Sequence, residues 1–287
     1  MLASSHPLDA ATGAARVSKA ILVLLAIIVL LPLWFLATGS LTDIKGVMVM
    51  PPNLLPARPS LDNYAYFLTQ PLGRWVMNTV ILAVGSALAS VLVSCATGYA
   101  FAFFEFPLKN ALWALLLVGI MIPYLSMMIP RFVVLRKLGL LSTLWGLMLS
   151  GMLNPVGIYL ARAYFLTVPK SILDSARIDG AREGQILMRI IMPISRPIVT
   201  CLALFAEIGA MGNYVWQLLV LQRSEKYTLL LGLLRWINAD QAGNLQFTLN
   251  PLGRKFAASM ILIVPILLIF LATSRYFTSA LGGALKE

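Results

Sequence analysis

Six long apolar runs constrain this chain more than any other feature of its sequence. A helix needs about 20 mostly apolar residues to cross roughly 30 Å of hydrocarbon, and each run approaches or exceeds that length. The runs are Ile21–Leu36, Trp75–Phe103, Ala111–Ile129, Leu144–Phe165, Pro197–Leu221 and Phe256–Phe277. Because 60% of the 287 residues are hydrophobic and only 11% are charged, the composition lies outside the range of soluble proteins. The sequence therefore predicts an all-α, polytopic membrane protein with six transmembrane helices.

The beginning of the chain leaves one alternative to weigh. The first run is short and follows Arg16 and Lys19, a pattern that a signal peptide also shows. The stretch "ATGSLTD" after Leu36 is not a convincing small-residue cleavage site, so we expect an uncleaved first span. We therefore predict an N-terminal cytoplasmic segment of residues 1–19 and a six-helix transmembrane domain of residues 20–287.

The net charge of +11 indicates a lipid surface rather than nucleic acid as the partner, because the basic residues stand in short loops beside the apolar runs. The 22 Lys and Arg residues divide equally between the two sides of the membrane if all loops are counted. Six of them fall between Arg162 and Arg196, which favours a cytoplasmic position for that loop and for both termini. Cys95 and Cys201 lie inside apolar runs, and we predict no disulfide.

The loop Ser171–Pro197 is the most polar part of the chain and carries seven charged residues between two apolar runs. Pro169 suits the start of a short helix, and Ile172, Leu173 and Ala176 would share one face of it. Gly180 permits a change of direction, and Asp179 can cap the helix that follows.

A second short helix is expected from about Ala181 to Met192, and Pro193 should stop it. Its apolar residues recur at helical spacing and form one stripe. They are Ile186, Leu187, Ile190 and Ile191. Two short amphipathic helices at an angle make a firm protrusion, which can transmit force from a partner protein.

This loop resembles the hallmark loop of the permease subunits of binding-protein-dependent ATP-binding-cassette importers. The family pattern is an acidic residue, two small residues, a glycine four positions later, and further on an apolar residue and a proline. The matching residues are Asp174, Ser175, Ala176, Gly180, Ile190 and Pro193. The usual opening is Glu-Ala-Ala, so Asp-Ser-Ala departs mildly, whereas "ARIDGA" at residues 176–181 looks like the sugar-uptake branch.

The resemblance extends over about four fifths of the chain. The stretches that carry it are "NTVILAVGSALASVLVSCATGYAFAFFEFPLKN", "MIP" at residues 121–123, "KLGLLSTLWGL" at residues 137–147 and "RYFTSALGGALKE". They are similar to the maltose-type second permease of that branch. The resemblance implies the fold of an ABC type I importer permease in the cytoplasmic membrane of a prokaryote.

In such importers the polar loop, here about residues 167–196, is implied to dock into a cleft of the ATPase subunit. The implied partners are a second, related permease, two ATPase subunits and an extracytoplasmic sugar-binding protein. ATP and Mg²⁺ would bind to the ATPase subunits, and we expect no cofactor on this chain. An interfacial helix pair without a partner is the alternative interpretation of the loop.

Candidate cargo contacts are the polar and aromatic residues within the spans, because polar groups are costly there. Glu207 lies ten residues beyond Pro197, roughly 15 Å along the helix and near the middle of the membrane. Asn213 and Gln217 share a helix face, Tyr214 and Trp216 supply ring surfaces, and Asn154 precedes Pro155. The family usually has Trp-Asn and Trp-Pro around this place, where this chain has Met211, Gly212 and Gln217, so the family's sugar contacts transfer weakly.

The motifs also bear on other classes of protein. No Gly-Lys dipeptide occurs, so the chain has no phosphate-binding loop and we do not expect it to be an ATPase. The single histidine, His6, argues against a zinc site or a histidine base in the membrane. We therefore predict a non-enzymatic permease for a sugar or oligosaccharide. A glycerol-phosphate diester or a polyol as cargo, an ion-coupled secondary transporter and a lipid-modifying membrane enzyme are the alternatives.

Overall fold

The computed structural model describes residues 7–43, 55–56, 58–241, 252–265 and 267. These residues are helical or lie in turns between helices, and a single isolated bridge joins Thr42 and Pro59. They form two compact units. The first contains the described residues up to Gln70 and from Ile237 to Pro265, and the second contains Pro71–Trp236.

The first unit contains α1 (Pro7–Ser40), α2 (Asp62–Leu68) and a helix over residues 252–265. The side chains of residues 18–31 in α1 are all exposed, and nearly all of them are apolar, as expected of a helix that faces lipid. The end of α1 is tied to α2 by the buried Asn63, whose Nδ2 donates to the carbonyl oxygens of Ser40 at 3.0 Å and Thr42 at 2.9 Å.

The next part of the chain begins with one long helix and continues with shorter ones. Its first four helices are α3 (Leu72–Phe103), α4 (Lys109–Met121), α5 (Met128–Lys137) and α6 (Leu144–Met152). Then follow α7 (Pro155–Phe165), α8 (Lys170–Ile178), α9 (Glu183–Ile186), a π-helical turn (Leu187–Ile191) and α10 (Met192–Ile194). This part of the chain ends with α11 (Arg196–Gly212), α12 (Tyr214–Val220) and α13 (Leu229–Gln241).

In the described part of the chain, two helices are long and apolar enough to cross a membrane by themselves, Ser18–Ser40 within α1 and the whole of α3. Three helix pairs also qualify when each pair counts as one bent span. The bends measure 107° after Met121, 47° after Met152 and 89° after Ile194. The described residues thus contain up to five candidate spans, which agrees with the six predicted because the sixth, Phe256–Phe277, extends past the described residues.

Three of the predicted spans are interrupted rather than continuous. The third ends at Met121, just before Pro123, and the fourth is broken at Leu153 and Asn154, just before Pro155. A proline has no N–H and clashes with the preceding turn, so the helix ends before it and a new helix begins there. The fifth predicted span is broken at Asn213, where no proline stands. Prolines therefore account for two of these breaks but not for the third.

The long helix α3 is the centre of the second unit and packs against α6, α7 and α11. Small residues at four-residue spacing line its buried side, and they include Ser86, Ser90, Ser94 and Gly98. A Cβ on Gly98 would lie 2.7 Å from the Cβ of Ala161 on α7. Such spacing lets helix backbones approach closely, which is how helices associate where lipid removes the hydrophobic advantage of burial.

The close approach at Gly98 predicts the effect of a single methyl group. We expect Gly98→Ala to lower the free energy of unfolding by about 1–3 kcal/mol, because the backbone of α7 would have to move. Unfolding of the purified protein in detergent micelles, followed by circular dichroism, measures this effect. Gly73→Ala in the same helix is the matched control, since a Cβ there meets nothing within 4 Å. Equal stability of the two variants would contradict the packing argument.

Candidate functional site

The polar loop forms a bent helix pair, which consists of α8 and the helical segment Glu183–Ile194. The turn between them is a Schellman motif, in which the N–H of Gly180 donates to the Arg177 carbonyl and the N–H of Ala181 to the Ala176 carbonyl, each at 3.0 Å. Gly180 has a φ of +80°, a conformation that side chains with a Cβ resist. The change of direction expected at this glycine is therefore present.

The bent helix pair is packed onto the ends of three longer helices by one group of buried apolar residues, the junction cluster. From α3, α7 and α11 it takes Val91, Cys95, Tyr99, Ala161, Phe165 and Leu202, and from the loop Val168, Leu173, Ala176, Ile186 and Ile191. Ile172, Leu187 and Ile190 pack against it and are partly buried. Both predicted apolar stripes are thus confirmed, and the pair is fixed to the body of the chain rather than lying free.

A polar chain of contacts runs beside the junction cluster. Tyr99, which is 3% exposed, donates its hydroxyl to Oε2 of Glu183 at 2.5 Å, and Nε of Arg177 donates to Oε1 at 2.8 Å. The second Arg177 nitrogen, Nη1, donates to Asp174 at 3.4 Å. The hydrogen bond from Arg177, aided by that from Tyr99, holds the pKa of Glu183 below its usual range. A charged Glu183 therefore links a transmembrane helix to both halves of the bent helix pair.

Two expectations for the loop were wrong. Asp179 does not cap the second helix but ends the first, and Arg182 is the residue before α9, with its N–H donating to Oε1 of Gln185 at 2.9 Å. Pro193 does not stop the second helix, which continues to Ile194 and ends at the buried Ser195. The π-helical turn just before Pro193 adjusts the hydrogen-bond register, so the helix tolerates the missing N–H.

The residues that match the family pattern divide between two faces of the bent helix pair. Ala176 and Ile190 face the junction cluster. The exposed ones are Asp174, Ser175, Gly180 and Pro193, and the neighbouring Asp179 is exposed as well. Ile178, which the sequence did not single out, is 86% exposed on the same outer side.

The second candidate site is a cavity of about 430 Å³ at the helix breaks, which we call the break cavity. Its lining includes Ile122 at the first break, Leu153 and Asn154 at the second and Asn213 at the third. Broken helices leave backbone groups that only protein or water can satisfy, so breaks are tolerated in a membrane where they border a cavity or are buried in protein. The three interruptions therefore converge on one place.

Side chains from the breaks satisfy much of this exposed backbone. Oδ1 of Asn154 accepts from the N–H of Val156 at 3.1 Å, and Oδ1 of Asn213 accepts from the N–H of Trp216 at 3.3 Å. Gln217, which is 1% exposed, donates Nε2 to the carbonyl oxygens of Ala210 at 2.7 Å and Met211 at 3.2 Å.

Of the six predicted cargo contacts, four line the break cavity. These are Asn154, Asn213, Trp216 and Gln217. Both polar atoms of the Gln217 side chain are already hydrogen-bonded within the chain, because its Oε1 also accepts from the Thr228 hydroxyl. Glu207 and Tyr214 do not belong to the lining. Oε2 of Glu207 is buried and has no hydrogen-bond partner among the described residues.

The sequence did not single out several polar residues of the cavity, namely Ser86, Ser90, Tyr124, Arg131 and Ser150. Arg131 stands beyond the third apolar run in the sequence, and the bend after Met121 brings it into the lining. The serines had a detectable signal, because Ser86, Ser90 and Ser94 recur at four-residue spacing within an apolar run and share one helix face. No sequence signal indicated that Arg131 lines the cavity, since its position depends on the angle of the bend.

A family model described as "Binding-protein-dependent transport system inner membrane component" matches residues 90–280, more than half of the chain. The chain belongs to this family. The match includes the whole bent helix pair and most of the helices that line the break cavity. The expectation that the sequence raised about its family is thus confirmed.

Several relatives are permease proteins of transport systems. The chain is 31% identical over 236 residues to an arabinooligosaccharides transport system permease protein of Halalkalibacterium halodurans, covering 79% of this chain and 80% of that protein. It is 30% identical over 275 residues to a galactooligosaccharides transport system permease protein of Bacillus subtilis, with coverages of 93% and 94%. An sn-glycerol-3-phosphate transport system permease protein of Rhizobium meliloti is 26% identical over 263 residues, with coverages of 89% and 91%.

Solved structures share the fold. A chain of a bacterial ABC transporter involved in import of the acidic polysaccharide alginate superimposes with a TM-score of 0.81 at 22% identity, covering 96% of this chain and 100% of that one. A chain of the inward-facing MetNI methionine ABC transporter gives a TM-score of 0.53 at 17% identity, with coverages of 74% and 97%. The predicted all-α fold of an ABC importer permease is therefore confirmed.

The contacts of Glu183 predict a pH dependence of this permease's stability. A carboxyl whose pKa is lowered on folding stabilises the folded state above its ordinary pKa and loses that contribution as the pH falls through the lowered value. We therefore expect Glu183→Gln to lower the melting temperature at pH 7, and the difference from the wild type to shrink below about pH 4. Melting curves of the detergent-purified protein across this range provide the measurement.

Glu105→Gln is the control for this experiment, because the Glu105 side chain is 90% exposed and pairs only with Lys109 among the described residues. A surface ion pair of this kind contributes about 0–1 kcal/mol, so the melting temperature should hardly change. If the melting temperatures of Glu183→Gln and the wild type differ by the same amount at pH 7 and below about pH 4, the role of the Glu183 charge is contradicted.

Proposed function

We propose that this permease moves a sugar or oligosaccharide across the cytoplasmic membrane as the translocation subunit of an ATP-driven importer. The observation that carries the proposal is the bent helix pair, whose inner side is fixed to three transmembrane helices by the junction cluster while its outer side stays exposed. Force applied to that outer side would reach the spans directly.

The engine is a pair of ATPase subunits that dock on the outer side of the bent helix pair, around Asp174, Ser175, Ile178 and Asp179. An 86% exposed isoleucine beside exposed carboxylates suits a partner cleft with an apolar floor and a basic rim. ATP and Mg²⁺ bind to those subunits, and this chain hydrolyses no nucleotide and holds no cofactor. The bent helix pair and both termini accordingly lie on the cytoplasmic side.

The remaining partners are a second, related permease and an external binding protein that delivers the cargo. The names of the arabinooligosaccharide and galactooligosaccharide relatives support a saccharide cargo. The break cavity supports it as well, because its lining combines the rings of Trp216 and Tyr124 with hydroxyl and amide groups. Sugars present both apolar ring faces and hydroxyl groups to such a site. The glycerol-3-phosphate relative favours a glycerol-phosphate compound as the second candidate cargo.

A substitution at the turn of the bent helix pair tests the ATP-driven mechanism. We expect Gly180→Leu to reduce ATP-dependent uptake about tenfold or more, because a side chain at a φ of +80° costs about 1–3 kcal/mol and misdirects the second helix. A Cβ on Gly180 meets nothing within 4 Å, so the effect comes from the backbone and not from a clash. Uptake of labelled oligosaccharide into proteoliposomes containing the whole importer measures it.

Gly180→Asn is the matched variant, since asparagine tolerates this backbone conformation better than leucine does, and it should retain more uptake. Co-purification of the ATPase subunits with each variant reports whether docking or a later step is lost. Full uptake by Gly180→Leu would refute docking through this turn. Uptake that follows an ion gradient without ATP would instead indicate a secondary transporter.

A further inference from the structure

The described lining of the break cavity contains a positive charge but no negative one. Arg131 is the one charged residue in its described lining, and it forms no ion pair with any described carboxylate. Its guanidinium lies over the ring of Tyr124, 5.3 Å from the ring centre. An arginine stays protonated in proteins, so its charge is permanent. The cavity therefore carries a fixed positive charge without a counter-charge from the described chain.

The position of Arg131 depends on the helix break at Asn213. Nδ2 of Asn213 donates to the Tyr124 hydroxyl, while Oδ1 of the same side chain caps α12. The ring of Tyr124 is thereby held against the third break, and the guanidinium lies over that ring. The contacts from Asn213 to Tyr124 and from Tyr124 to Arg131 hold the guanidinium in the lining of the cavity. It is therefore positioned to contact a ligand there rather than lying free on a surface.

Further hydrogen-bond donors in the lining are also unused. The hydroxyl groups of Ser86 and Ser90 form no hydrogen bond with the described residues, although these residues are 5% and 2% exposed. Asn154 uses its side-chain oxygen to cap α7, which leaves its Nδ2 without a described partner. The cavity thus offers a cation, two hydroxyl groups and an amide N–H₂, and no carboxylate competes for them.

We propose that the break cavity binds an anionic group of the cargo, a carboxylate or a phosphate, through the Arg131 guanidinium. This proposal rests on the proposed function and narrows its substrate class to acidic saccharides or sugar phosphates. A guanidinium presents a planar fork of N–H groups that matches the two oxygens of a carboxylate or phosphate. The serine hydroxyls and Nδ2 of Asn154 are then available to the hydroxyl groups of the same cargo.

The test uses the complete importer in proteoliposomes, with its binding protein and ATPase subunits, and three labelled probes. They are a galacturonate trisaccharide, the neutral galactose trisaccharide of the same length, and sn-glycerol 3-phosphate. We expect the wild type to take up a galacturonate or phosphate probe in preference to the neutral one, and the preferred anionic probe identifies the source of the charge. Arg131→Gln should reduce that uptake about tenfold or more, because it removes the charged N–H donors that would bind the anionic group.

Arg131→Lys keeps the charge but loses the fork, and it should retain an intermediate rate. Arg136→Gln is the matched control, because Arg136 lies on the same helix, is exposed and does not line the cavity. It should transport like the wild type. The amount of assembled complex is measured for each variant by size-exclusion chromatography, so that a loss of uptake can be separated from a loss of assembly.

The remaining outcomes overturn the proposal. ATP-dependent uptake of the neutral trisaccharide alone would refute an anionic cargo and leave the proposed function standing. Wild-type uptake of the anionic probe by Arg131→Gln would exclude this residue as the binding group. Loss of complex assembly in Arg131→Gln alone would show that the cation pairs with the second permease instead. Uptake of all three probes at the same rate with and without ATP would refute the proposed function itself.

Discussion

The junction cluster is the interaction on which the working of this permease depends. Side chains from α3, α7 and α11 interlock there with both halves of the bent helix pair. A close-packed interior does not deform continuously, so a displacement of the pair must move the helices with it. The Tyr99 hydroxyl and the Arg177 guanidinium, which both donate to Glu183, add a directional link to this non-directional packing. Apolar burial fixes the parts together, and the charged contact fixes their orientation.

Two of those helices connect the junction cluster with the break cavity. Along α3, Tyr99 lies in the cluster and Ser90 in the cavity lining, nine residues or roughly 14 Å apart. Along α11, Leu202 lies in the cluster and Gly209 in the lining. A continuous helix is stiff over such a distance. The bent helix pair and the cavity are therefore connected through α3 and α11 without a separate relay.

The helix breaks make the cavity at the cost of exposed backbone groups. A membrane offers no water to satisfy them, so the chain supplies side chains instead. Asn154 and Asn213 each cap a new helix, and Gln217 binds the carbonyl groups that α11 leaves open. Residues that resemble cargo contacts in the sequence thus serve the scaffold first. The proposed anionic cargo would use the hydrogen-bonding capacity that remains around them, most of all the donors of Arg131.

The sequence by itself determined the class, the family and the bent helix pair, because span length, the spacing of apolar residues and the glycine at a turn are local properties. It could not determine that Arg131 lines a cavity or that Glu183 meets Tyr99, 84 residues away in the chain. It also misjudged the end of the second short helix, where a π-helical turn accommodates Pro193. These features follow from bend angles and long-range packing, which arise only when distant segments share one interior. Tertiary structure alone therefore decided which polar residues face the cavity.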